Sequence, residues 1–190
     1  MLSLALIRPG ATDYSEQSRV QGTLDIPLNP QGTDEVARTI GQLRDVKLIA
    51  LYTSDSEPAA STAKAIAGEF GLRVRKLDGT KNLDHGLWQG MSLEEIKRKQ
   101  PKVYRQWQEQ PDSVCPPQGE TLGEARQRLA AALTRLRKKH KEGVVAVVLP
   151  EPLFALFKAV AQDEAPGDLW KASTEHGGWE KIDLAVPQTT

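Results

Sequence analysis

Short apolar runs alternate along this chain with stretches of helical periodicity. Leu2 to Ile7, Leu48 to Thr53 and Val144 to Leu149 are almost continuously apolar and of strand length, the pattern of parallel strands covered on both faces. Val74 to Leu77 and Lys181 to Val186 are weaker strand candidates. Gly32 to Leu43 places Val36, Ile40 and Leu43 on one helical face. Glu57 to Phe70 carries Ala63, Ile66, Ala67 and Phe70, mostly small side chains suited to close packing on a sheet. Capping boxes at Ser92-x-x-Glu95 and Thr121-x-x-Glu124 open two more helices. The first runs toward Gln100 and is stopped or restarted by Pro101. The second has Leu122, Ala125, Leu129, Ala132 and Leu136 at helical spacing and ends by Gly143. Between them Gln110 to Gly119 is Pro-rich and polar, which predicts a surface loop able to act as a lid. The alternation predicts one layered α/β domain over residues 1–190.

This layout locates a site before any chemistry is named. In open α/β sheets ligands bind at the carboxyl ends of the strands. The residues following the three strongest strands are Arg8-Pro9-Gly10, Ser54-Asp55-Ser56 and Pro150-Glu151-Pro152, which should converge.

Charge and composition narrow the partners. Lys plus Arg and Asp plus Glu are equal at 25 each, so no general field attracts nucleic acid or an anionic membrane. The basic run from Arg135 to Lys141 falls at a helix end, where cations complement the macrodipole and face water. Cys115 is the single cysteine, which excludes an intrachain disulfide and suggests no oxidising compartment. The apolar start Met1 to Ile7 lacks a basic leader and a cleavage site and reads as a buried strand. No apolar run has the length of a membrane span. A cytoplasmic location, no cofactor and no metal are expected.

Several blocks, in order, resemble the histidine phosphatase (phosphoglycerate mutase-like) superfamily. Arg8-Pro9-Gly10 followed by Arg19-Val20-Gln21-Gly22-Thr23-Leu24-Asp25-Ile26-Pro27-Leu28 is similar to R-H-G and R-x-Q-G-x-x-D-x-P-L. Tyr52 to Ala63 is similar to Y-S-S-D-L-x-R-A-x-x-T-A. Asn82 to Gly90 is similar to E-x-D-x-G-x-W-x-G, Pro116 to Thr121 to P-P-x-G-E-S, and Val147 to Glu151 to V-V-x-H-G. The resemblance implies a three-layer αβα sandwich with a mostly parallel central sheet.

It also implies a chemistry that this chain departs from. In that family a neutral histidine attacks phosphorus, two arginines and a second histidine hold the phosphoryl oxygens, and a carboxyl group protonates the leaving oxygen. By the matching positions the nucleophile is replaced by Pro9, the second arginine by Pro58, the general acid by Asn82 and the second histidine by Pro150. An auxiliary asparagine is matched by Ser15. Arg8 alone remains of the phosphate-holding set. Proline has no nucleophilic atom, no transferable proton and no cation, so the resemblance implies a fold whose catalytic residues are lost. Pro58 is expected in the first turn of its helix, where a missing N–H is harmless, and Pro9 and Pro150 after strands. A vestigial pocket of Arg8, Gly10, Ser15, Gln21, Gly22, Ser54 and Glu151 is expected. Glu151 replaces the glycine after the second histidine and is expected to compensate Arg8, because a buried arginine without a partner is costly.

No other group offers a ready substitute. Ser15, Ser54 and Asp55 have no visible base. His140 is expected in the solvated basic helix end, His176 in a surface turn and His85 at the pocket rim, all three structural in role. Cys115 has no basic partner to activate it, and Asp84 with His85 lacks further ligands at metal-binding spacing. Gln21-Gly22-Thr23, Trp88 and Pro116 to Thr121 are left to frame a cleft. The leading expectation is a catalytically inactive protein with a binding or regulatory role toward an unidentified protein or small molecule, a homodimer being one candidate. The alternatives are a phosphatase or mutase with a non-standard site and a simple anion-binding module using Arg8.

Overall fold

The computed structural model describes residues 1–54 and 56–184. In chain order the elements are β1 (Leu2–Ile7), α1 (Asp13–Glu16), α2 (Pro30–Leu43), β2 (Leu48–Thr53), α3 (Ala59–Phe70), β3 (Val74–Lys76), α4 (Leu93–Lys99) and α5 (Pro101–Glu109). There follow α6 (Leu122–Lys139), β4 (Gly143–Val148), α7 (Leu153–Gln162), α8 (Leu169–Ala172) and β5 (Trp179–Asp183). The sheet order is β3-β2-β4-β1-β5. All neighbours are parallel except β5, which runs antiparallel along β1.

Alternate side chains of the buried strands enter two separate cores. Leu4, Leu6, Tyr52, Val145 and Val147 face one core, which α6, α7 and the indoles of Trp88, Trp107 and Trp170 complete. Ala5, Ile7, Leu51, Ala146 and Val148 face the other, closed by Leu43 of α2 and by Ala59, Ala63 and Ile66 of α3. The central strands are thus sheltered on both faces, and the fold is a three-layer sandwich. Each fully buried Leu, Ile or Val contributes about 1.5–3 kcal/mol.

Both capping boxes form: Ser92 accepts from Glu95 N–H, Thr121 accepts from Glu124 N–H, and each glutamate reaches back. The chain departs from expectation at several ends. α3 starts at Ala59 with Pro58 as its N-cap, so the proline precedes the first turn; the peptide bonds entering Pro58 and Pro152 are cis. α6 ends at the cap His140, whose ring is 3.0 Å from the Tyr52 hydroxyl instead of free in solvent. Gly143, at φ 89°, opens β4. β5 begins at Trp179, which pairs with Ile7; Val186 lies outside the described residues.

The Pro-rich loop is anchored away from the strand ends. Val114 is buried in the first core, Leu87 N–H donates to the Pro117 carbonyl at 2.9 Å, and Glu120 N–H donates to the Asp84 carbonyl at 3.0 Å. Gly86, at φ 49°, permits this contact, since a Cβ there would lie 2.0 Å from the Pro117 oxygen. Trp88 is likewise core, edge-on to Trp107 at 5.7 Å. Neither the loop nor Trp88 borders the cleft described next.

Candidate functional site

The turn after β1 is fixed by close backbone packing. A Cβ at Gly10 would fall 2.1 Å from the carbonyl oxygen of Gly32, so glycine lets the turn lie against the start of α2. Asn29 caps that helix through Gly32 N–H at 2.8 Å and donates its own N–H to the Ala11 carbonyl at 3.0 Å. Pro9 is thereby held at the carboxyl end of the sheet. Pro150, Glu151 and Pro152 come from the turn between β4 and α7, and Pro58 from the entry to α3. With Gly10, Ser15, Gln21 and Gly22 they border one narrow cleft, whose far side is formed by His85, Glu175 and His176. The free volume at its heart is only about 30 Å³, room for roughly one or two water-sized groups.

Arg8 is held by several carboxylates. Its Nε donates to Oε1 of Glu151 at 2.7 Å and its Nη2 to Oε1 of Glu180 at 3.0 Å. Nη2 is also 3.2 Å from Oε2 of Glu175, and the guanidinium carbon lies 3.9 Å from the centre of the Phe154 ring. Glu180 is shared with Lys158 Nζ at 2.5 Å. Burial works against the charge of Arg8, but Glu151 and then Glu180 outweigh it and raise its pKa. The Glu151 side chain is 2% exposed. Burial pushes its carboxyl up to about 7, against the attraction of Arg8. A larger cavity of about 320 Å³, bordered by Arg8, Glu151, Phe154 and Lys158, lies on the other side of this network.

The remaining positions are spoken for. Asn82 is buried; its Nδ2 donates to the Gly22 carbonyl at 2.8 Å and the Glu151 carbonyl at 3.3 Å, and its Oδ1 accepts Leu83 N–H at 2.9 Å. Ser15 completes a capping box with Thr12. Gln21 donates to the Glu57 carbonyl at 2.9 Å. The Ser54 hydroxyl is buried with no hydrogen-bond partner among the described residues and does not border the cleft; Asp55 is outside the described residues. Cys115 is an exposed free thiol. Among the described residues no group of three His, Cys, Asp or Glu side chains could hold a metal ion.

Two histidines differ from expectation. His176 is no free surface turn: its Nδ1 is 2.8 Å from Oε2 of Glu35, which also accepts Ala11 N–H at 2.9 Å. His85 is fully buried among Trp107 and Trp88. Its Nδ1 is 3.2 Å from the Leu83 carbonyl, so Nδ1 carries the proton and Nε2 is an acceptor, which has no partner among the described residues. Burial lowers its pKa to about 4, so the ring is neutral. Sequence reasoning missed Glu175, Glu180, Glu35 and Lys158; the doublet Gly177-Gly178 before β5 was the one local hint of a tight return over the site.

A mostly parallel sheet in this strand order, with helices on both faces and a cleft at its carboxyl edge, is a three-layer α/β fold of the phosphoglycerate mutase-like class. The chain belongs to the histidine phosphatase superfamily (branch 1), whose family model matches residues 4–186. It is 32% identical over 161 residues to phosphoserine phosphatase 1 of Hydrogenobacter thermophilus, covering 84% of this chain and 76% of that protein. It is 30% identical over 174 residues to a metal-independent phosphoserine phosphatase of Arabidopsis thaliana, covering 90% and 73%. Against the bifunctional protein Rv2228c of Mycobacterium tuberculosis, 29% identical, it spans only 46% of the relative's length. Among solved structures, YhfR of Bacillus stearothermophilus superposes with a TM-score of 0.85 at 25% identity, covering 97% of this chain and 92% of that one. Among the described residues no helix is long and apolar enough to cross a membrane.

Proposed function

We propose that this chain is a histidine phosphatase fold without its phosphoryl-transfer chemistry, acting by binding or regulation. The observation that carries this reading is the fate of Arg8, matched with three carboxylates from Glu151, Glu175 and Glu180 where the family resemblance expects a phosphoryl group. Pro9 and Pro150 border the same cleft and supply neither nucleophile nor cation. Asn82, at the matched position of the general acid, is committed to two backbone carbonyls. Loss of a nucleophile alone lowers turnover by roughly six orders of magnitude in a well-measured hydrolase.

The relatives favour a second reading, since they include phosphoserine phosphatases. One local observation joins them: His85 is a neutral imidazole bordering the cleft with a free acceptor nitrogen. Under that reading His85 would be phosphorylated. The deciding experiment compares wild type with a variant combining Pro9→His, Pro58→Arg, Asn82→Glu, Pro150→His and Glu151→Gly. Release of phosphate from a generic ester and acid-labile phosphohistidine are followed in both. Turnover and label only in the repaired protein support the inactive reading; ordinary turnover in wild type, lost with His85→Phe, establishes the second.

A further inference from the structure

The charge of the old anion site has been reversed. Around Arg8 the network holds two cations, Arg8 and Lys158, against three carboxylates, Glu151, Glu175 and Glu180. The cleft itself is bordered by Glu151 and Glu175. Arg19, a cation on the cleft border, is turned to the Gly90 carbonyl at 2.8 Å and Gln17 at 2.9 Å, with Glu95 at 3.9 Å. His176 faces Glu35. A phosphate oxygen entering here meets carboxylates whose one buried counter-ion is already taken, whereas a positive group gains where the anion loses.

Size and hydrogen bonding point to the same kind of ligand. The enclosed space at the heart of the cleft is small, about 30 Å³, which suits a compact head group. The wall includes Pro9, Pro58, Pro150 and Pro152, apolar surface suited to a short hydrocarbon stem. His85, fully buried, contributes an Nε2 lone pair that has no partner among the described residues and calls for a donor. An ammonium group supplies three donors and a charge. We propose that this cleft binds a small primary amine in its protonated form, the ammonium head set among Glu151, Glu175 and His85 Nε2 and the alkyl stem along the prolines.

This inference rests on the inactive reading of the same cleft, and one experiment separates the two. Amide and His-ring resonances of the intact protein are titrated with ethylammonium chloride, with ethyl phosphate and with ethanol, while released phosphate is measured in the ethyl phosphate samples. Ethylammonium should give saturable shifts at Gly10, Gly22 and His85, with at least about tenfold weaker effects from the other two probes. Glu175→Gln, on an exposed side chain that leaves the fold intact, and Glu151→Gln, which keeps an acceptor for Arg8, should each weaken it about fivefold or more; His85→Phe should do likewise. Absence of saturation, equal binding of ethyl phosphate, or ethylammonium binding indifferent to all three substitutions would overturn the proposal. Any of these without phosphate release leaves the inactive reading standing; release of phosphate at an enzymatic rate removes that reading as well.

Discussion

Arg8 and Glu151, 143 residues apart in sequence, meet at 2.7 Å across the carboxyl ends of two adjacent strands. The pair is buried on the Glu151 side and backed by Phe154. Its two members respond differently to losing the other. A glutamate can take up a proton, while an arginine cannot shed one.

Replacing Arg8 by Met should therefore destabilise the protein in a pH-dependent way. Without Arg8 the Glu151 carboxyl is pushed up beyond about 7. Above pH 7 it must then either ionise unpaired in a buried site or keep a proton that the unfolded chain has released, a loss of about 3 kcal/mol. In acid it would be protonated and the loss should shrink to about 1 kcal/mol. Urea unfolding at the two pH values checks this; an equal loss at both would show that Glu151 carries no charge in the native protein.

His85 and Glu151 should bend the pH-stability curve in opposite directions. Glu151 holds its proton to about 7 in the fold against an ordinary 4.5, so the folded state binds more protons between these values and its contribution falls as pH rises. His85 titrates at about 4 against an ordinary 6.5, so its contribution is lost as pH falls through that window. In wild type the two largely offset. Glu151→Gln should make stability climb by roughly 1 kcal/mol per pH unit across the window, and His85→Phe should make it decline similarly. Parallel curves for wild type and both variants would contradict the assignment.

Asn82 serves three backbone groups at once. Asn82→Ala leaves the Gly22 carbonyl and Leu83 N–H without partners and should cost about 1–3 kcal/mol. Hydrogen exchange at Leu83 should rise more than at Val147, in the middle of β4. An unchanged Leu83 amide would mean that water or a shifted backbone replaces the amide.

Two glycines in one region should behave oppositely. Gly10→Ala forces a Cβ onto the Gly32 carbonyl and should destabilise by about 2–4 kcal/mol, as overpacking against rigid backbone does. Gly41→Ala, exposed in α2 with nothing within 4 Å, should stabilise by about 0.5–1 kcal/mol. Thermal melts of the two variants decide it.

The central sheet, both capping boxes and the convergence of residues 8–10 with 150–152 were legible because each is written in a local pattern: apolar runs, a four-residue box, a strand end. The pairing of Arg8 with Glu151 was legible from charge accounting at those ends. Glu175, Glu180 and the His176–Glu35 contact were not, because they depend on β5 lying antiparallel beside β1 in one register, Ile7 opposite Trp179. Near residue 175 the Gly177-Gly178 doublet hints at a tight turn but does not encode which strand becomes the neighbour. The contacts of the loop at residues 110–119 were not legible for a similar reason: buried Val114 and a backbone approach between Gly86 and Gly119 join it to segments distant in sequence. The position of Asn82 was readable, but its three bonds were not, since two reach backbone of segments distant in sequence.

The place of β1 between β4 and β5 carries a consequence for how the chain assembles. Among the described residues β1, the earliest strand of this sheet in chain order, pairs with residues 143–148 and 179–183. During synthesis, the apolar run Leu2–Ile7 must wait for most of the chain to emerge before either edge finds a neighbour, a long-range closure of the kind that slows folding and exposes strands to aggregation. The segments that finally enclose it also bring Glu151 and Glu180 to Arg8. Assembly of the cleft is therefore a late event, and a chain truncated before β5 would present an unpaired β1 edge together with an arginine short of partners.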